Sequence, residues 1–279
     1  MIRLAVRVAR ADAELVLAEL LELAPNGVEE VDGADGTVEY AVYGAPGELP
    51  ALPEVEAAVG GALVSVTTSE IADDWSERWR SYHRPLVLGD RLCVRPPWEP
   101  AGDASLDVVI DPGQAFGTGA HATTRLCLDM LLGLDDAPAA RGSLVDVGCG
   151  SGVLAIVAAK LGFAPVVALD FDPLAVNATR ANAAVNGVPE IEVRRFDLRA
   201  ESVPRADVAV ANVLAPPLLE WAASGRGAWP GTLILSGILA TEADRVADAF
   251  AAASGLRERR RELAAEWAAL LMVTSDRSA

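Results

Sequence analysis

The sequence predicts an α/β protein: a Rossmann-like, mostly parallel sheet flanked by helices, preceded by a small ferredoxin-like α+β domain. Three observations carry that expectation. From residue 106 onward, short apolar runs of strand length alternate with segments of helical period, the pattern of a parallel sheet covered on both faces. A Gly-rich turn, Gly148-Cys149-Gly150-Ser151-Gly152, joins one of those runs to the next helical segment. Before residue 72 the order is strand, helix, two strands, helix, strand, which is a split βαβ arrangement.

The first strand, residues 2–8, alternates apolar and polar positions as a half-buried strand does. Leucines at helical spacing mark residues 12–24, and Pro25-Asn26-Gly27 ends that helix. Residues 28–31 and 37–43 read as strands joined through Asp32-Gly33-Ala34-Asp35-Gly36, a hairpin signal. A short helix opened by Pro53 covers residues 53–60, and residues 63–71 return to strand. This domain, residues 1–71, leaves one sheet face open, which suits docking, and holds no catalytic constellation.

Residues 72–100 are expected to be a linker with a short helix. Trp75 and Trp79 are four apart on one helical face, which suits packing against a domain. Pro85, Pro96, Pro97 and Pro100 punctuate the rest of the linker. In the second domain, residues 101–279, strands are expected at 144–147, 166–169, 191–195, 208–211 and 232–235. Helices are expected at 153–161, at 174–186 closed by Gly187, and at 242–253. Residues 257–263 and 267–274 are read as a closing antiparallel pair.

Composition narrows the function. A chain of 279 residues, 52% of them hydrophobic, suits two packed domains rather than disorder. No apolar run is long enough for a membrane span, and the start lacks the order of a signal peptide, so the cytosol is the expected compartment. Cys93, Cys127 and Cys149 are scattered, and His83 and His121 are the only histidines. No metal constellation can be assembled from them, and reduced, buried thiols are expected. The formal net charge of −17 argues against direct nucleic-acid or membrane binding. It would attract a basic partner, and solubility alone explains it equally well. Lys160 is the only lysine, a compositional bias rather than a chemical sign.

In an open α/β sheet, ligands bind beyond the carboxyl ends of the strands where the strand order reverses. Here the first strand runs straight into the glycine turn, where the backbone can approach a ligand closely and the next helix offers free N–H groups. Asp170 ends the next strand, near the ~20-residue offset at which an acidic residue meets ribose hydroxyls. Asp172 before Pro173 fits a helix cap instead. Together the turn and Asp170 imply an adenosine-containing cofactor. The spacing GxGxG differs from the dinucleotide fingerprint GxGxxG, and no Lys-Ser/Thr comes after it, which excludes a P-loop. Asp146 at the strand end would repel a pyrophosphate and favour the amino or sulfonium group of S-adenosylmethionine. That asymmetry decides for methyl transfer over a nicotinamide oxidoreductase.

A longer match then becomes visible. Asp111-Pro112-Gly113-Gln114-Ala115-Phe116-Gly117-Thr118-Gly119-Ala120-His121-Ala122-Thr123-Thr124 strongly resembles the signature of the PrmA family, enzymes that methylate large-subunit ribosomal protein eleven. The stretch from Asp146 to Ile156, Asp170-Phe171-Asp172-Pro173, Ala211-Asn212-Val213-Leu214-Ala215 and Leu235-Ser236-Gly237-Ile238-Leu239 are similar to the same family. So are Asp74-Trp75-Ser76-Glu77-Arg78-Trp79 and Glu266-Trp267. Ala122 stands where the family usually has Pro, and Pro216-Pro217 where a Gly is common.

The resemblance implies a class I methyltransferase domain with S-adenosylmethionine as cofactor. The ferredoxin-like domain would recognise the ribosomal protein, whose lysine side chains and N-terminal amine are the acceptors. Residues 116–124 would form a lid, with Phe116, Gly117, Thr118 and Thr124 joining Asp146, Gly148, Gly150, Asp170 and Asn212 around the cofactor. Asn212, at a strand end, is either an ordinary turn residue or the group that orients the amine and disperses its developing charge. His121 is read as a structural residue, and no general base is identified. A related protein-lysine or small-molecule methyltransferase on the same fold is the alternative.

Overall fold

The computed structural model describes residues 2–13, 16–17, 20, 29–33, 36–44, 49, 55, 60–70, 84–111, 121–135 and 142–274. The chain divides into two compact units, Met1–Tyr82 and His83–Ala279.

The first unit carries strands β1 (Ile2–Ala9), β2 (Glu29–Asp32), β3 (Thr37–Gly44) and β4 (Leu63–Glu70). They form one antiparallel sheet in the order β2-β3-β1-β4, the strand order of a ferredoxin-like unit. Period-two alternation sends Leu4, Val6 and Val8 to one face, where they meet Val38, Tyr40, Ala13, Val16 and Leu20. Ala13, Val16 and Leu20 are spaced three and four apart and helical, so they share one face. The buried Tyr40 hydroxyl donates to the Ala13 carbonyl at 3.0 Å. The remainder of the expected helices at 12–24 and 53–60 lies outside the described residues, as do Trp75, Trp79 and His83.

The second unit begins with a three-stranded sheet: β5 (Leu86–Leu88), β6 (Leu92–Arg95) and β7 (Leu106–Val109). Leu88, Leu92, Val94 and Val108 are buried in the same core as the helices of this unit. Residues 86–95, which the prolines place in a linker, are therefore a hairpin of this unit. Its apolar positions are spent on the core, which proline counting does not weigh.

Next come α1 (Ala122–Asp135), β8 (Leu144–Val147), α2 (Val153–Lys160), β9 (Val166–Asp170), α3 (Pro173–Val185), β10 (Glu192–Arg195), β11 (Val208–Asn212), α4 (Ala215–Ser224), β12 (Thr232–Leu239), α5 (Ala243–Ser254), β13 (Arg257–Ala264) and β14 (Trp267–Val273). The sheet order is β10-β9-β8-β11-β12-β14-β13. The first five strands pair parallel and β14 runs antiparallel to both its neighbours. The order reverses between β8 and β11, so the crevice opens at the glycine turn. Asp172 caps α3 by accepting the Leu174 N–H at 2.8 Å, with Pro173 in the first turn. Strand β12 runs four residues past the expected 235. The helices α1 and α4 are additions to the elements expected from the sequence. Pro216 and Pro217 sit in the first turn of α4, where a missing N–H costs nothing.

Alternation along the central strands decides which residues meet. Leu144, Val208, Val210 and Ile234 belong to the core containing α1 and α2 residues. Val145, Val147, Ala209, Ala211, Leu233 and Leu235 belong to the core containing α4 and α5 residues. By the same period, Asp146, Asn212 and Ser236 fall on the α1–α2 face at the carboxyl ends of three adjacent strands. Asn212 and Ser236 are direct register partners.

Candidate active site

A cavity of about 460 Å³ opens at the switch point. Its floor is the turn after β8, with Val147, Gly148, Cys149 and Gly150; one side is Leu169, Asp170 and Phe171 at the end of β9. Phe196, Asp197, Leu198 and Arg199 come directly after β10, and Thr124, Asn212, Val213 and Pro217 complete the opposite side. Of the residues singled out in the sequence, Thr124, Gly148, Gly150, Asp170 and Asn212 are thus brought together.

The turn is built for close approach. Gly148 has φ of 78°, and a Cβ there would lie 2.4 Å from Val213 Cγ1. Only glycine combines that backbone with that neighbour. Asp170 is tied from both sides: its Oδ2 accepts the Gly150 N–H at 2.8 Å and its Oδ1 the Asp172 N–H at 2.9 Å. Each carboxylate oxygen keeps a second lone pair for a ligand hydroxyl.

Asp146 does not line the cavity. It is fully buried, and its Oδ2 accepts the Ala155 N–H at 3.1 Å. Its Oδ1 has no hydrogen-bond partner. Burial pushes its carboxyl up to about 7; the Ala155 hydrogen bond opposes this and the nearby Asp170 charge adds to it. A buried anion with an orphaned oxygen is costly unless a positive charge arrives.

Asn212 donates through Nδ2 to Thr124 Oγ1 at 3.3 Å, which links the end of β11 to the first turn of α1. Thr124 is therefore a helical residue packed into the core side of the site. His121 Nδ1 lies 2.8 Å from Thr123 Oγ1, and its ring meets Trp267 edge-on at 5.1 Å between centroids. Both contacts suit the structural role read for it. Phe116, Gly117 and Thr118 lie outside the described residues.

All three cysteines are unbridged and buried. Desolvation raises the thiols of Cys127 and Cys149 far above their ordinary range, so neither is a nucleophile at neutral pH. Among the described residues, no cluster of His, Cys, Asp or Glu could hold a metal.

Sequence reasoning passes over the stretch Phe196-Asp197-Leu198-Arg199. Its signal is available: it leaves the carboxyl end of β10, the same strand-end position that marks Asp170 and Asn212. Phe171 stands beside Asp170 in a family-like motif without a role of its own. It is half exposed at the rim, with the Arg195 and Arg199 guanidinium carbons 5.3 and 5.9 Å from its ring centroid.

A family model described as Ribosomal protein L11 methyltransferase (PrmA) matches residues 49–275. The chain belongs to this family. Relatives named Ribosomal protein L11 methyltransferase include one from Sodalis glossinidius, 46% identical over 201 residues, covering 70% of this chain and 67% of the relative. Another, from Pelotomaculum thermopropionicum, is 41% identical and covers 75% and 69%. A third, from Klebsiella pneumoniae, is 46% identical and covers 64% and 61%. The matched part of the chain thus spans about two thirds of the length of these relatives or somewhat less. The solved structure of a ribosomal protein L11 methylase from Lactobacillus delbrueckii subsp. bulgaricus is 31% identical, with a TM-score of 0.60, covering 69% of this chain and 99% of that one.

As a PrmA family member, the chain is an S-adenosylmethionine-dependent methyltransferase of the class I fold. The residues fit the cofactor. The crowded glycine turn leaves room for a ligand and none for a side chain, Asp170 presents acceptors at the ribose offset, and the orphaned Asp146 oxygen rewards a cation.

Proposed function

We propose that this chain methylates amines of large-subunit ribosomal protein L11, its lysine side chains and its N-terminal α-amine. The observation that carries this reading is the Asn212–Thr124 pair at the wall of the cofactor cavity. It is supported by the names of the relatives and by the formal net charge of −17, which suits a basic substrate.

The cofactor supplies a methyl group on a sulfonium, already a good leaving group. The protein's task is to place an unprotonated amine in line with it, and alignment of this kind is worth ~7–11 kcal/mol. Asp170 would receive the ribose hydroxyls, and Gly148 and Gly150 would let the backbone close on the cofactor. Asp146, buried outside the cavity, would favour a positive charge brought near the turn. Asn212, with Nδ2 held by Thr124, offers Oδ1 to orient the amine and disperse its growing charge. Phe116, Gly117 and Thr118, outside the described residues, are assigned to the cofactor by the family resemblance alone. A lysine must first shed its proton from a reference pKa near ~10.4, and an apolar entrance assists by desolvation.

The ferredoxin-like unit is assigned to substrate recognition. The reaction is placed in the cytosol, with no direct contact to nucleic acid or membrane. Among the described residues, no helix is long and apolar enough to cross a membrane. Mass analysis of purified L11 after incubation with the chain and S-adenosylmethionine tests the reading. Mass increments of ~14 Da on lysines or the N-terminus are expected. Unmodified L11 alongside a methylated small-molecule amine would favour the alternative within this fold.

A further inference from the structure

We propose that Asn182 is a positioning residue that locks the entry of the signature segment, at Asp111, to the cofactor-binding glycine turn. It lies on α3, outside the cavity. Thr179, Asn182 and Asn186 succeed one another at i, i+3 and i+7, on one helical face, and all three are buried. Thr179 Oγ1 donates to the Gly150 carbonyl at 2.9 Å. Asn186 pairs with Val109 of β7 from both sides, accepting its N–H at 2.8 Å and donating to its carbonyl at 2.6 Å. Asn182 lies between them and holds both neighbours: its Nδ2 donates to the Ser151 carbonyl at 2.9 Å and its Oδ1 accepts the Asp111 N–H at 3.1 Å.

Three side chains thus divide two backbone segments among them, and only the middle one bridges the two. Asp111 opens the signature that runs to Thr124, and Thr124 in turn accepts from Asn212. A primary amide donates from one atom and accepts at another, so one side chain can tie two separate backbones, and a buried amide with both ends satisfied has little freedom to drift. Asn182 therefore fixes the spacing between the turn that receives the cofactor and the Asp111 backbone at the start of the signature segment. Asn186, by contrast, fastens β7 without touching the turn.

The inference rests on the cavity taking S-adenosylmethionine, and its test separates the two claims. Asn182→Ala and Asn186→Ala are compared in the full chain for thermal midpoint, for S-adenosylmethionine Kd by calorimetry, and for hydrogen exchange at the Asp111 amide. Both variants are expected to lose stability. Only Asn182→Ala is expected to weaken the cofactor, by about tenfold or more. In the wild type and in Asn186→Ala, cofactor binding should slow exchange at Asp111; in Asn182→Ala it should not. Should either alanine variant fail to fold, Asn182→Gln and Asn186→Gln replace the pair, since each keeps an amide and shifts it by one methylene. Equal weakening in the two variants, or a wild-type Kd for Asn182→Ala, overturns the inference and leaves Asn182 an ordinary buried polar residue. Absence of binding to the wild type would remove the cofactor reading itself.

Discussion

Asp146→Asn should reshape the pH dependence of stability in the cofactor-free protein. The wild-type carboxyl is raised from the ordinary 3.8 to about 7, first by burial, against a single hydrogen bond from Ala155. A folded-state value above the unfolded one means that ionisation opposes folding. The penalty is absent below 3.8, grows as the pH rises and is complete above about 7. Each pH unit in that window costs about 1.4 kcal/mol, so the full penalty approaches ~4 kcal/mol as an upper bound. Between pH 5 and pH 8 the wild type should lose roughly 3 kcal/mol that Asp146→Asn does not. At roughly 2–4 °C per kcal/mol for a unit of this size, the gap in thermal midpoint should widen by about 6–12 °C. The assay is thermal melting of both proteins across pH 5 to 8 without cofactor. Only the difference between the curves is diagnostic, because every other titrating group is shared. Parallel curves would refute the reasoning and show that Asp146 is solvated or already paired.

Asp170→Ala should weaken S-adenosylmethionine roughly 10- to 100-fold, the worth of ~1.5–3 kcal/mol in charge-assisted hydrogen bonds; calorimetry with unchanged affinity would remove it as the ribose acceptor. Gly148→Ala forces a Cβ to 2.4 Å from Val213 at φ of 78°, and should abolish measurable cofactor binding while the far-ultraviolet dichroism stays native. Asn212→Ala should lower single-turnover methyl transfer ~10²–10³-fold at saturating cofactor, with a much smaller change in cofactor Kd. A near-normal rate would return Asn212 to the status of a turn residue.

Periodicity makes the core strands of the parallel sheet legible; strand-end position points to Asp170, and the family resemblance to Asn212, both of which line the cavity. The two helices that periodicity passes over are hidden for different reasons. Ala122–Asp135 begins inside a motif read for chemistry, and Ala215–Ser224 opens on two prolines, which read as breakers unless the first-turn exception is applied. The hairpin at 86–95 is hidden because four prolines nearby outweigh Leu88, Leu92 and Val94. Pairings between distant residues, such as Asn182 with Asp111 and Ser151, have no local signal at all. Nor does the burial of Asp146, which depends on Ala155 and on the whole layer above it.

The placement of β14 between β12 and β13 has a consequence for how the protein must be made. Strand β12 carries Ser236, which helps set the chain beyond Asn212 by accepting the Val213 N–H. Its outer edge is sealed only when Trp267–Val273 arrives from far downstream. As the chain is synthesised from its amino end, β12 therefore waits with unpaired backbone groups and a largely apolar flank, the situation in which strands recruit foreign partners. Any version of the chain ending before Trp267 would keep that edge open permanently. Such a protein should aggregate rather than merely lose activity.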